Sequence, residues 1–186
     1  MIKLIRNLAN CDEKFFSGWI LAHAQIILQG EAEFFSNNLL NATNRKAVFK
    51  VEGRDKDGDV RQSLKVLLVM PKSSQTSSVR KMQQCGSFLS KRKFTIEQIN
   101  EYIALSGDKN IIHQSEKPIV PGFLMVLYLY EEFFRAQTDW DVKFLYPVYS
   151  DDEIAFYQQG NTVNAYVHDV LAFTIKFNRI GEFNVK

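Results

Sequence analysis

Apolar residues recur along this chain at two periods, and the change from one to the other divides it into elements. From residue 95 to about 105 the period is helical: Ile96, Ile99, Ile103 and Ala104 share a face. Thr95 stands before them as an N-cap with Gln98 three residues on, and Ser106-Gly107 supplies the stop. From Asp108 to Pro121 the chain has turn chemistry and two prolines, which excludes a helix interior and predicts a loop. Residues 123–130 are apolar nearly all round and run on through Glu131 and Glu132 to Gln137. A helix with no wide polar face belongs in the interior, and this one is too short, and too polar at its end, to span a bilayer. Elsewhere the period is two. Residues 47–51 and 60–70, joined through Asp57-Gly58, predict a hairpin, and 161–163 and 171–177 alternate as strands do. The apolar stretch around His23 reads as helical.

The loop is where candidate chemistry concentrates. Asp108 and His113 lie five residues apart in it, and Gly122 opens the apolar helix just behind. The unpaired amides of a helix N-terminus favour negative charge, including the charge that develops on a thioester carbonyl, and glycine there lets a ligand approach the backbone. Each residue also has a plainer reading. Asp108 could be a turn residue after Gly107, Asn110 braces a loop more readily than it does chemistry, and Ser106 could end the helix or touch substrate. His23 reads as a packed structural residue, and His168, beside Asp169 at a strand turn, as a surface one.

Residues 102–113, Tyr-Ile-Ala-Leu-Ser-Gly-Asp-Lys-Asn-Ile-Ile-His, resemble the signature of the (R)-specific enoyl-CoA hydratases among the MaoC-like hotdog proteins. The resemblance implies an α+β hotdog fold, an antiparallel sheet wrapped around a central helix. It also implies a catalytic dyad of Asp108 and His113, with Asn110, Ser106 and Gly122 about the substrate. Ile111 stands where the family has proline, and removes no reactive group. The short spacing from His113 to Pro118, Pro121 and Gly122 is similar to that of the hydroxyacyl-carrier-protein dehydratases of the FabZ type. Those enzymes carry a catalytic Glu where this chain has Leu127, so the MaoC-like dyad is complete and the FabZ-like one is not. Residues 142–154 resemble the family's Phe-x-x-Pro-Val-x-x-Gly-Asp turn, with Asp151 at the glycine position.

The first half carries no Asp-x-Asn-x-x-His motif, but it echoes the second: residues 15–22 against 119–126, and 31–35 against 141–145. Two such units, each gaining by covering the other's sheet, predict a double hotdog in one chain. The expected boundaries are 1–72 for a degenerate non-catalytic half, 73–87 for a Ser/Gln/Thr-rich linker and 88–186 for the catalytic half. An unrelated N-terminal extension is the alternative. With 186 residues, 46% of them hydrophobic, the chain can fill a sizeable core. A formal charge of +2 gives no support to a nucleic-acid or membrane surface role. Residues 1–10 lack a secretory apolar run, and Cys11 and Cys85 lack metal-ligand spacing, so a reducing cytoplasm and no metal are expected.

The resemblance implies reversible hydration of trans-2-enoyl thioesters to (R)-3-hydroxyacyl thioesters. CoA or the phosphopantetheine of an acyl carrier protein would enter as part of the substrate, with no separate cofactor. Thioester hydrolysis on the same scaffold, or a non-catalytic thioester-binding module, are the alternatives, and the expectation leaves room for a homodimer. Lys91, Arg92 and Lys93 with Arg80 and Lys81 could meet the phosphates or form a solvated face, as could Lys109 and Lys117 near the motif. Tyr128, Tyr130, Phe133 and Phe134 could line an acyl tunnel or simply pack the core.

Overall fold

Strand alternation supplies most of the architecture. A computed structural model describes residues 1–11, 15, 17–71 and 84–178. In β3 (Lys46–Arg54) the residues Ala47, Phe49 and Val51 point inward, and in β4 (Val60–Val69) Leu64, Val66 and Leu68 do. The two pair antiparallel as the expected hairpin. Its turn is built by Asp55, whose carboxylate accepts from the amides of Asp57 and Asp59 at 3.0 Å each, while Gly58 takes φ +89°. The remaining strands are β1 (Ile20–Leu28), β2 (Phe34–Ala42), β5 (Ser87–Arg92), β6 (Asp139–Phe144), β7 (Ile154–Gln159), β8 (Thr162–Val167) and β9 (Val170–Phe177). The α-helices among the described residues are α1 (Ile2–Ala9), α2 (Ile96–Ser106) and α3 (Gly122–Glu132).

The nine strands among the described residues form one antiparallel sheet in the order β2-β3-β4-β1-β6-β9-β8-β7-β5. The order repeats itself about the β1–β6 pair: outward from it, β1 is followed by β4, β3 and β2, and β6 by β9, β8 and β7. A helix precedes each run of four strands, α1 before β1 and α3 before β6. At the junction His23 lies opposite Lys143 and Ile27 opposite Asp139. The core follows the sheet, with Trp140, Phe49, Phe156, Phe173 and Phe177 fully buried, and with Phe123, Met125, Val126 and Leu129 of α3 packed among them. No helix among the described residues is long and apolar enough to cross a membrane.

Four expectations need correction. The stretch around His23 is strand β1, not helix, and the signal was its alternation: Ala24 and Ile26 are buried while Gln25 is exposed. His23 Nε2 lies 3.1 Å from Asp141 across the junction. The echo between 15–22 and 119–126 consequently does not align equivalent elements, because the first leads into a strand and the second into α3. Residues 31–35, echoed against 141–145 in β6, lead instead into β2, which sits third from the junction as β7 does in the second run. The apolar helix stops at Glu132 rather than Gln137, since the chain turns to bury Phe134, 4.8 Å between ring centroids from Phe177. Most of the expected linker, 73–83, lies outside the described residues, and Ser87 at its end already belongs to β5.

Candidate active site

Helix α2 delivers the motif loop. Thr95 and Gln98 form a reciprocal capping box at its start, and Gly107 closes it in the left-handed conformation at φ +74°. The Asp108 amide then donates to Ser106 Oγ at 3.2 Å, and the Asn110 amide to Asp108 Oδ1 at 3.0 Å. Asp108 Oδ1 is thereby engaged by the turn, and it is Oδ2 that faces His113. A short 3-10 turn, Ile111–His113, follows.

His113 is buried, at 7% exposure, and its Nδ1 lies 2.6 Å from the carbonyl oxygen of Ile119. A carbonyl can only accept, so Nδ1 carries the proton and Nε2 is left as the lone-pair nitrogen of the neutral ring. That Nε2 lies 3.6 Å from Asp108 Oδ2. The gap is too long for a direct hydrogen bond but lets both atoms hold one small polar group between them. The Ile119 carbonyl is itself held, because Val120 donates to the Val148 carbonyl at 2.7 Å and Ser150 to that of Pro118 at 2.9 Å. The turn beyond Pro147 makes this possible. Asp151 takes φ +63°, a left-handed position that suits the family's glycine, and Asp152 Oδ2 accepts from the Tyr149 amide.

Asp108, Asn110, His113 and Gly122 line a cavity of about 430 Å³. Its other walls come from far along the chain: Ile5 and Leu8 of α1, Trp19 before β1, Leu68 of β4, and Phe144 and Val148 around the end of β6. One carboxylate and one imidazole therefore face a mostly apolar space, at the N-terminus of a buried helix. Pro121 precedes α3 and offers no side-chain cap; its carbonyl takes the Leu124 amide at 3.0 Å, which leaves the Gly122 and Phe123 amides to whatever enters the cavity.

Other predicted residues also make contacts with the scaffold. The Asn110 side chain accepts from the Gly18 amide at 3.1 Å and donates to the Trp19 carbonyl at 2.7 Å, which ties the motif loop to the entry of β1. Ser106 is buried, ends α2 and is not among the cavity-lining residues. Gly122 has a packing reason as well as a chemical one, since a Cβ there would come within 2.8 Å of the Phe144 ring and 3.2 Å of Leu21. Tyr128, Tyr130, Phe133 and Phe134 are absent from the lining. They pack with Phe94, Phe156, Trp140 and Phe177 instead.

Among the basic residues Lys91 pairs with Glu153 at 2.7 Å, and Lys117 with Asp152 at 3.9 Å. Arg92 stacks over Phe94 and Tyr128, and Lys109 borders the cavity. Arg80 and Lys81 lie outside the described residues. His168 is at the exposed β8–β9 turn with φ +50°, as its surface reading required. Sequence reasoning missed α1 altogether. Its signal was the amphipathic spacing of Leu4, Ile5 and Leu8, all buried.

No protein-family model matches the chain, and no curated protein matches it by sequence. Solved structures do. HtdX from Mycobacterium tuberculosis is 14% identical with a TM-score of 0.66, over 86% of this chain and 76% of that one. A MaoC-like dehydratase is 12% identical with a TM-score of 0.66, over 97% and 83%. An acyl-ACP thioesterase from Bacteroides thetaiotaomicron is 11% identical with a TM-score of 0.57, over 86% and 75%. A single antiparallel sheet with α3 buried against it, superposing on these chains over most of its length, gives this protein the hotdog fold of the MaoC-like dehydratases.

Proposed function

We propose that this protein adds water reversibly to trans-2-enoyl thioesters, forming (R)-3-hydroxyacyl thioesters of CoA or acyl carrier protein. The observation that carries the reading is the placement of Asp108 Oδ2 and His113 Nε2, 3.6 Å apart, in one largely apolar cavity at the N-terminus of α3. In the hydration direction a water held between them gives its proton to one of the pair. Its oxygen bonds to C3, and the proton it gave up is passed to C2 by the group that received it, so the pair ends the step as it began. Charge that develops on the thioester oxygen meets the first-turn amides of α3, Gly122 among them. Electrons balance without a redox partner, and CoA or phosphopantetheine arrives with the substrate, so the reading calls for no further cofactor.

The same reading gives the parts of the chain different tasks. Residues 88–186 supply the chemistry, and residues 1–72 supply walls through Ile5, Leu8, Trp19 and Leu68. Cys11 is buried and Cys85 exposed, and a reducing cytoplasm is the setting this reading proposes. The likeness to an acyl-ACP thioesterase supports a second reading, in which the activated water attacks the thioester carbonyl. Incubation with crotonyl-CoA separates the readings. Formation of 3-hydroxybutyryl-CoA is the expected outcome; release of free CoA would assign the thioesterase, and no change with retained binding would leave a thioester-binding module.

A further inference from the structure

The cavity wall passes from exposed to buried. Leu145 is 58% exposed and Tyr146 37%, and exposed Lys109 and Pro71 share that lip, whereas Ile5 and Leu8 of α1 are 4% and 5% exposed. Asp108, with its side chain 22% exposed, stands between these extremes. The charged and imidazole side chains among the described lining residues, Asp108, Lys109 and His113, all belong to the motif loop, so the α1 side of the cavity is apolar. CoA or a carrier protein is charged and too large for about 430 Å³, and stays at the open lip. The acyl chain takes the buried side, where every methylene removed from water is favoured.

Helix α1 is anchored behind that side. Leu4 is fully buried and does not line the cavity, Arg6 Nε donates to the Leu105 carbonyl of α2 at 2.5 Å, and Asn37 Nδ2 of β2 donates to the Asn7 carbonyl at 2.9 Å. A wall held this way cannot retreat before a longer chain. Its C-terminal end lies against the start of the motif loop, since a Cβ on Gly107 would stand 3.8 Å from that of Ala9. Tyr128, Tyr130 and Phe134 of the second half are committed to the core, so α1 supplies the acyl wall that they do not. We propose that α1 sets the acyl length of the substrate: chains run from the dyad toward Ile5, Leu8 and Ala9, and Leu8 fixes the length at which they cease to fit. This rests on the hydratase reading and narrows its substrates to acyl chains of limited length.

Initial rates with trans-2-enoyl-CoA substrates of four to sixteen carbons test the proposal in the parental protein, Leu8→Ala and Ala9→Leu. Parental kcat/KM should rise about fourfold for each added methylene while the chain fits, then fall about 10- to 200-fold at the first chain that does not. Leu8→Ala should move this break to chains about two carbons longer, and Ala9→Leu should move it to shorter ones. The break is read from ratios between chain lengths on one preparation, so a loss of folded protein cannot imitate the shift. Ala9 is only half-buried, and its variant decides the matter if truncation of Leu8 prevents folding. A parental profile with no break through sixteen carbons, or a break that stays in place in the folded variants, would overturn the proposal and leave the hydratase reading standing. Hydration of none of these substrates by the parental protein would overturn that reading, and the proposal with it.

Discussion

Single side chains in the motif loop divide between chemistry and support, and substitutions should separate the two. Asp108→Asn and His113→Ala alter groups on a loop whose turn is also held by Ser106 and Asn110, so folding should survive in both. Turnover of crotonyl-CoA should fall about 10²- to 10⁴-fold in each, the usual contribution of a general acid or base. Circular dichroism with initial rates checks this, and near-parental rates in both variants would remove the dyad. Gly122 behaves differently from what its place in the motif suggests. Even Gly122→Ala puts a methyl 2.8 Å from the Phe144 ring, and Phe144 is a wall of the same cavity. Overpacking of this kind costs about 1–3 kcal/mol, so Tm and turnover should drop together rather than turnover alone. The loss of activity there reports a displaced wall, and by itself says nothing about the amide.

At the scale of elements, the loop and the strand beside it are joined by Asn110, and the β3–β4 hairpin by Asp55. Asn110→Ala would leave the Gly18 amide and the Trp19 carbonyl without the partners they now have. Each buried group so stranded costs about 1–3 kcal/mol, and the loop would lose its tether to β1. The expected result is a lower denaturation midpoint with faster amide exchange in both segments, and an unchanged midpoint would show that water replaces the bonds. Asp55 is held below the ordinary carboxylate range chiefly by the hydrogen bond from Arg61, with the Asp59 and Asp57 amides adding to it. A carboxyl whose folded value is depressed stabilises the fold above its unfolded value, and that contribution is lost as pH falls through the folded one. Asp55→Asn should therefore flatten part of the acid limb of the stability profile and leave its shape above neutrality alone. An identical acid limb in the variant would contradict the assignment.

For the whole molecule, the β1–β6 pair and the shared cavity make the two runs of strands interdependent. A fragment beginning at Ser87 would expose the β6 edge that β1 now covers and would lose Ile5, Leu8, Trp19 and Leu68 from the cavity. It should aggregate on gel filtration and show no hydratase turnover. A monomeric, fully active fragment would make the N-terminal region an appendage. Much of this architecture was legible beforehand where the signal is local. The Thr95 capping box, the Gly107 stop, the Asp57-Gly58 hairpin and the buried run of α3 each depend on residues within one turn or two of each other. What was misread depends on distant partners: β1 is a strand because β4 and β6 flank it, and α3 ends early because Phe177 and Trp140 receive Phe134.

Residue order alone sets the chemistry available in the loop and the covalent spacing that keeps Asp108, Asn110 and His113 on one short turn. It could do so because backbone propensity, capping and turn formation act over a few residues and leave their mark in residue order. Which of those groups face the cavity, which are bonded to the scaffold, and that 11 of the 28 residues in its wall come from before residue 72, were settled only by the tertiary fold. Those choices follow from burial and from the need of buried polar atoms for partners, which join positions such as Asn110 and Trp19, 91 residues apart. No local pattern encodes such a pairing, because it exists only once the sheet has brought the two segments together.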